Sequence, residues 1–172
     1  MSLATAKPEA SPSSDDAAQI RRVTKEIEKR SFLTLATTSP KGRPHAAGVI
    51  YEAVGGALYI HTMRNSRKGR NIADNPHVGV MISIRKMPVG PPFTIQFQAT
   101  AEILDMDDPR IVALIEDGKL KAIAGHGALE EPDGSFLKIT PSGRIHSYGI
   151  GVSLLGLIRD PLHVGARSVD LE

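Results

Sequence analysis

The sequence predicts a mainly β, α+β fold: a small, closed or nearly closed antiparallel barrel with helices on its outside. Three observations lead there. Short β-rich runs recur at close spacing, each bounded by Gly or Pro turn signals. They follow one another without the intervening helices that parallel crossovers demand. Two or three helical segments and the absence of any internal repeat complete the pattern.

Residues 1–14, "MSLATAKPEASPSS", are rich in Pro, Ser and Ala and read as a loose tail, leaving 15–172 as a single domain. The tail lacks the apolar centre of a secretory signal. Asp15 or Asp16 then caps a helix in which Ala17, Ile20, Val23 and Ile27 recur at helical spacing. The period changes to that of strands at "FLTLATT" (32–38), "HAAGVIYEA" (45–53) and "ALYIHT" (57–62), separated by "SPKGRP" and "VGG". A short basic helix follows, stopped by "DNP", and then the strand "HVGVMISI" (77–84). After the loop "RKMPVGPP", residues 93–104 alternate strictly: Phe93, Ile95, Phe97, Ala99, Ala101 and Ile103 against Thr94, Gln96, Gln98, Thr100 and Glu102. "DMDDPRIVALIEDG" has an Asp cap, Pro109 near the first turn and a Gly stop, hence a helix. "KLKAIAGHGALEEPDG" reads as loop, "SFLKIT" and "GRIHSYGIG" as two strands joined by a turn at Pro141 to Gly143, and the last stretch adds a short helix before Pro161.

Composition narrows the function. At 172 residues, with 41% hydrophobic and 23% charged residues, the chain is an ordinary one-domain globular sequence. With no cysteine there is no disulfide, thiolate metal site or cysteine nucleophile. No apolar run approaches the roughly 18–20 residues that span a bilayer, and a cytoplasmic protein with no membrane partner is the default expectation. Six histidines are scattered without a short helical pair or a carboxylate cluster, so no metal site is expected.

A net charge of only +2 makes any basic function local. Its locus is "MRNSRKGRN", with Arg64, Arg67, Lys68 and Arg70 in seven positions. Asn65 or Ser66 is the natural N-cap, which puts Arg67 and Lys68 in the first helical turn, where the dipole is already positive. Three readings follow. The cations form a solvated face, as charge runs usually do. They meet nucleic acid, although aromatics at 4% and the lack of tryptophan leave few stacking platforms. Or they form a socket for one phosphate of a small ligand, using free N–H groups, the dipole and the hydroxyl of Thr62.

"LYIHTMRNSRKGRNIADNPHVGVMI", together with the upstream "FLTLATTSPKGRPHAAGVIYEAVGGALYIHT", resembles the pyridoxamine 5'-phosphate oxidase-like, split-barrel flavin-binding proteins. In that family a strand ending in Thr runs into a Ser-Arg-Lys helix start, then Asn-Pro and another strand. The resemblance is good over about residues 31 to 104 and loose elsewhere. It implies a split antiparallel β-barrel with peripheral helices. It also implies FMN, with its phosphate on Arg67 and Lys68 and with Ser66 and Thr62 nearby. His61 would line the cofactor, Val49, Ile50 and Tyr51 would run beside its ring, and Thr94 would add a polar contact. The family is typically homodimeric, with the cofactor between subunits and a small organic molecule as substrate. Relatives hold the deazaflavin coenzyme F-420, for which the same socket would serve. Others bind haem, with His146 or His163 as the ligand candidates here, and a non-catalytic flavin- or haem-binding module is the rival to an enzyme. The C-terminal Trp and Arg pattern of the oxidases proper is missing, so pyridoxamine phosphate is not the expected substrate. No catalytic side chain is assigned, since the cofactor ring itself carries hydride.

Overall fold

Among the described residues, eight strands form one antiparallel sheet with five α-helices around it. The computed structural model describes residues 14–85, 93–125 and 127–170. Residues 1–13 of the expected tail, residues 86–92 of the expected Pro-Gly loop and His126 lie outside that set. The strands are β1 (Phe32–Thr38), β2 (Pro44–Ile50), β3 (Glu52–Val54), β4 (Ala57–Met63), β5 (His77–Ile84), β6 (Phe93–Leu104), β7 (Gly134–Tyr148) and β8 (Ala166–Asp170). Their order in the sheet is β2-β1-β5-β6-β7-β4-β3, with β8 added beside β7. The sheet curls into a split barrel, the fold that the sequence predicts.

Strand burial follows the alternation. On β6, Ile95, Phe97, Ala99 and Ala101 are buried in the main core, while Gln96, Gln98, Thr100 and Glu102 face outward. β4 departs from strict alternation because both of its faces are covered. Leu58 and Ile60 point into the barrel core, whereas Ala57 and Tyr59 join a second cluster with Leu104, Ile111, Leu120, Ile123 and Phe136. That second cluster is roofed by α3 (Pro109–Glu116) and the segment after it. The α3 cap is as expected: the Asp108 carboxylate accepts the Arg110 N–H at 2.9 Å, with Pro109 in the first turn.

α1 (Ser14–Glu28) sets Val23 and Ile27 into the barrel core and buries Gln19, whose amide donates to Ser147 Oγ at 3.1 Å and to the Ile150 carbonyl at 3.0 Å. Asp15 and Asp16 lie in its first turn instead of capping it, because the helix already includes Ser14. Among the described residues no helix is long and apolar enough to cross a membrane.

Three features differ from the sequence reading. The run 45–53 is two strands, not one. β2 pairs with β1, then the chain turns at Tyr51 and β3 pairs with β4. Pro141 to Gly143 is not a turn between strands: β7 runs through it as a bulge. Phe97 pairs with Ile145 but Gln98 with Ser142, so Gly143, at φ 69°, and Arg144 are looped out of register. Finally, the C-terminal stretch holds two helices, α4 (Leu154–Arg159) and α5 (Pro161–Val164), and closes with β8.

Tyr51 is the pivot of the first of these. Its N–H donates to the Ser31 carbonyl at 2.8 Å and its fully buried hydroxyl donates to the Ile27 carbonyl at 2.7 Å. Burial holds the phenol well above its ordinary pKa, so it stays a donor. Tyr51→Phe should lower the unfolding free energy by about 1–2 kcal/mol, seen as a lower urea midpoint at unchanged slope. An unshifted midpoint would contradict this role.

Candidate functional site

The helix α2 (Arg67–Asp74) starts as the sequence predicts, with Ser66 as its N-cap: Ser66 Oγ accepts the Gly69 N–H at 3.1 Å. Gly69 is required there, since a Cβ would lie 2.4 Å from the Arg64 carbonyl oxygen and 2.7 Å from that of Met63. The helix is seated by Ile72 in the barrel core and by buried Asn71, whose Nδ2 donates to Thr37 Oγ1 at 2.9 Å. The turn before it is braced on Asp133, which accepts the Arg64 N–H on its carbonyl and the Asn65 N–H on its carboxylate, both at 2.9 Å.

The four cations divide into two pairs. Arg64 is bound to the Asp105 carboxylate, and Arg70 donates to the Asn65 carbonyl. Among the described residues, Arg67 and Lys68 have no ion-pair or hydrogen-bond partner. They occupy the first two helical positions, where the backbone N–H groups have no acceptor within the helix. Burial pushes the Lys68 ammonium below its ordinary pKa, so its charge already carries a desolvation cost. Thr62 Oγ1 lies 3.3 Å from Ser66 Oγ and completes the socket.

A seam adjoins it. β2 is one edge of the sheet and β4 lies next to the other, and no ladder among the described residues joins them. A groove of about 310 Å³ remains, lined by Val49 and Ile50 on one wall, His61 on the other, and Ala122, Ile123 and Ala128 above. The covering segment is fastened by one carboxylate: Glu52 Oε2 accepts the N–H groups of Ala122, at 3.1 Å, and Ile123, at 3.3 Å. The sequence reading passed over this segment as loop. Leu120 and Ile123, three apart and both buried, were the signal that it packs.

The predicted ring-flanking residues separate on inspection. Val49 is buried in the core, and the side chain of Tyr51 is turned inward to Ile27. Because Tyr51 directs its N–H to β1, strand alternation gives only Ile50 backbone groups on the free edge. The Ile50 side chain is 54% exposed. His61 packs edge-on to Phe136 at 5.4 Å, and its Nε2 is buried with no hydrogen-bond partner among the described residues. Burial lowers the imidazole pKa, Glu131 opposes this, and Lys68 lowers it further. Thr94 is not brought to the socket within one chain. It opposes Ser83 and Tyr148, ten positions along β6 from Leu104, which faces Phe136 and through it His61. That is roughly 30 Å or more of strand. Among the described residues no three His, Asp or Glu side chains converge on a possible metal position.

Known proteins were compared against this geometry. The family profile described as Pyridoxamine 5'-phosphate oxidase matches residues 19–143, a wider span than the motifs alone suggest. No curated protein matches the sequence. Among solved structures, HutZ, the heme storage protein from Vibrio cholerae, is 20% identical, with 75% of this chain and 94% of that one covered and a TM-score of 0.63. A heme binding protein from Mycobacterium smegmatis is 21% identical, covering 94% of this chain and 60% of its own, with a TM-score of 0.66. An FAD-binding protein from Mesorhizobium loti is 20% identical over 74% of this chain and 90% of its own, with a TM-score of 0.60. At these identities the likeness is one of fold.

The His61 environment sets a pH dependence. Its imidazole is harder to protonate folded than unfolded, so below about pH 6.5, the ordinary value, the unfolded chain takes up more protons and stability falls. The loss stops once the folded pKa is passed. His61→Gln should lose less of its urea midpoint between about pH 7.5 and about pH 5 than the wild type. Parallel declines in the two proteins would contradict it.

Proposed function

Since the chain belongs to the pyridoxamine 5'-phosphate oxidase family, we propose that it is an FMN-dependent oxidoreductase acting on a small organic substrate other than pyridoxamine phosphate. The observation that carries this reading is the division of the basic cluster. Among the described residues Arg67 and Lys68 are left without partners, at a helix start with free N–H groups, and Lys68 is close enough to the seam to act on His61. A phosphate dianion placed there would take charge-assisted hydrogen bonds from both side chains and the backbone, and would relieve the desolvated Lys68. Thr62 and Ser66 add hydroxyls.

The seam suits a planar ring. Ile50 offers free edge backbone groups, while Ile123, Ala122 and Ala128 exclude water from above. His61 is neutral near pH 7, so it presents a polar but uncharged wall. When bound, the flavin supplies two-electron redox chemistry, and these residues supply position and shielding. The deazaflavin coenzyme F-420 is the alternative occupant, since its phosphate would meet the same socket.

The function includes a homodimer. Phe32, 59% exposed, and Ile50, 54% exposed, face each other across β1 and β2 beside the seam, an apolar pair that a partner subunit would cover. Such a partner is also what could bring a Thr94 to the cofactor.

A second reading is haem binding, favoured by one feature. The His163 imidazole is exposed and its Nδ1 is held 2.7 Å from Asp160 Oδ1, which leaves Nε2 free to meet an iron. A Soret band formed with hemin and lost in His163→Ala would support that reading over the flavin one.

Replacing both Arg67 and Lys68 by Ala should weaken FMN binding, followed by flavin fluorescence, by about 100-fold or more, with the urea midpoint retained. Affinity within twofold of the wild type would overturn the assignment.

A further inference from the structure

A depression of about 480 Å³ lies on the outer face of the sheet, away from the seam. Small residues, Ala36 on β1 and Gly79 on β5, make its floor. The register ties its walls into a row of cross-strand partners, Gly48, Thr34, Met81, Gln96, His146 and Ser168, that crosses β2-β1-β5-β6-β7-β8 in order. The next row holds Ile50 and Phe32 at one side and Thr94, Tyr148 and Ala166 at the other. The Phe32 ring lies back over Gly48, where a Cβ would be 2.5 Å from its Cζ.

The outward side of a solvated antiparallel sheet is ordinarily polar and charged. Further along β6 and β7 that holds, with Glu102 opposite Lys138. These two rows instead contain no Lys, Arg, Asp or Glu. The charges that flank them are neutralised within the chain, since Arg144 donates to both Asp170 carboxylate oxygens at 2.7 and 2.9 Å. His146 Nδ1 lies 2.8 Å from Ser168 Oγ. Depletion of unpaired charge over small and uncharged side chains marks the centre of a protein interface. It also lets like meet like, as an isologous twofold contact requires.

We propose that this face binds the same face of a second copy of the chain, about a twofold axis running along the strands between β5 and β6. The inference rests on the homodimer proposed for the flavin site and gives that dimer its surface. Four central strands about 4.8 Å apart, seven residues of about 3.4 Å long, cover roughly 450 Å², short of the about 800 Å² per partner of a stable complex. Because the sheet curls, the two copies diverge on either side of the axis, and the missing area has to come from an element that bridges the gap. α4 is that element. It follows Tyr148 and precedes Ala166, so an axis along the strands sets it against the Phe32 and Ile50 end of the second copy. Its Leu155 and Ile158, three positions apart on one helical face, are 76% and 71% exposed. Two apolar pairs left open in one chain, Phe32 with Ile50 and Leu155 with Ile158, thus cover each other twice in the dimer.

The chain has no cysteine, so single-cysteine variants report contacts without interference. Light scattering of the apo protein should give about twice the chain mass of 18.4 kDa. Met81→Cys, close to the axis, should join two copies through a short bismaleimide. Ile50→Cys and Ile158→Cys chains should be joined when co-expressed with different tags and not when either is expressed alone. Met81→Arg, which sets two guanidinium groups together at the axis, should halve the mass while the far-UV circular dichroism is retained. A single-chain mass for the wild type, failure of Met81→Cys to join, a dimeric Met81→Arg, or no joining of Ile50→Cys to Ile158→Cys would each overturn the proposal. FMN titration of the same wild-type sample separates the two readings: a dimer joined as described that binds no FMN supports this surface and contradicts only the flavin assignment.

Discussion

The structure depends on one change of partner. At Tyr51 the chain leaves its pairing with β1 and joins β4 as β3. A change of partner leaves backbone groups that must be held, and here Tyr51 is held on both sides. Its N–H binds Ser31 and its buried hydroxyl binds the end of α1. Because β3 takes the free side of β4, β2 cannot pair there, and the barrel stays split between them. The groove beside Ile50 and His61 is that unpaired seam. Glu52, the next residue, then fastens the covering segment over it through two N–H groups. The split in the barrel, the seam and its roof are thereby consequences of two adjacent residues.

Electrostatics at the seam follows a different logic from that of the rest of the surface. Arg110 with Glu102 and Asp108, and Arg144 with Asp170, are exposed ion pairs of the kind that contributes little to stability. The same is true of Arg64 with Asp105. Arg67 and Lys68 are different because among the described residues they have no carboxylate partner, and they stand at the positive end of a helix. Every local term there disfavours them: the dipole, each other's charge and the partial burial of Lys68. A bound anion would offset all three at once. This is the basis of the proposal that the pair binds an anion.

Much of this was legible in the sequence, and the parts that were not share a cause. The strict alternation of 93–104, the Asp108 and Pro109 helix start and the Ser66 cap are local signals, and each element formed where they place it. The break at Tyr51 has no local signal, since Tyr is a good strand residue; only the competition between β1 and β4 for the chain reveals it. Pro141 and Gly143 carry a true local signal for a turn, which long-range pairing with β6 converts into a bulge. At the site, the Arg67, Lys68, Thr62 and Ser66 group came together because it is nearly contiguous. Thr94 did not, because it was assigned by resemblance and the register sets it at the far end of β6. Ile123 and Glu52 were missed because they act across some 70 residues of chain.

The most direct measurement is a side-by-side fluorescence titration of the apo protein with FMN and riboflavin, which share the ring and differ by the phosphate. If the socket at Arg67 and Lys68 supplies the anchoring, FMN binds tighter by about 100-fold, the equivalent of two charge-assisted hydrogen bonds. Equal affinity for the two, or binding of neither, would contradict the account.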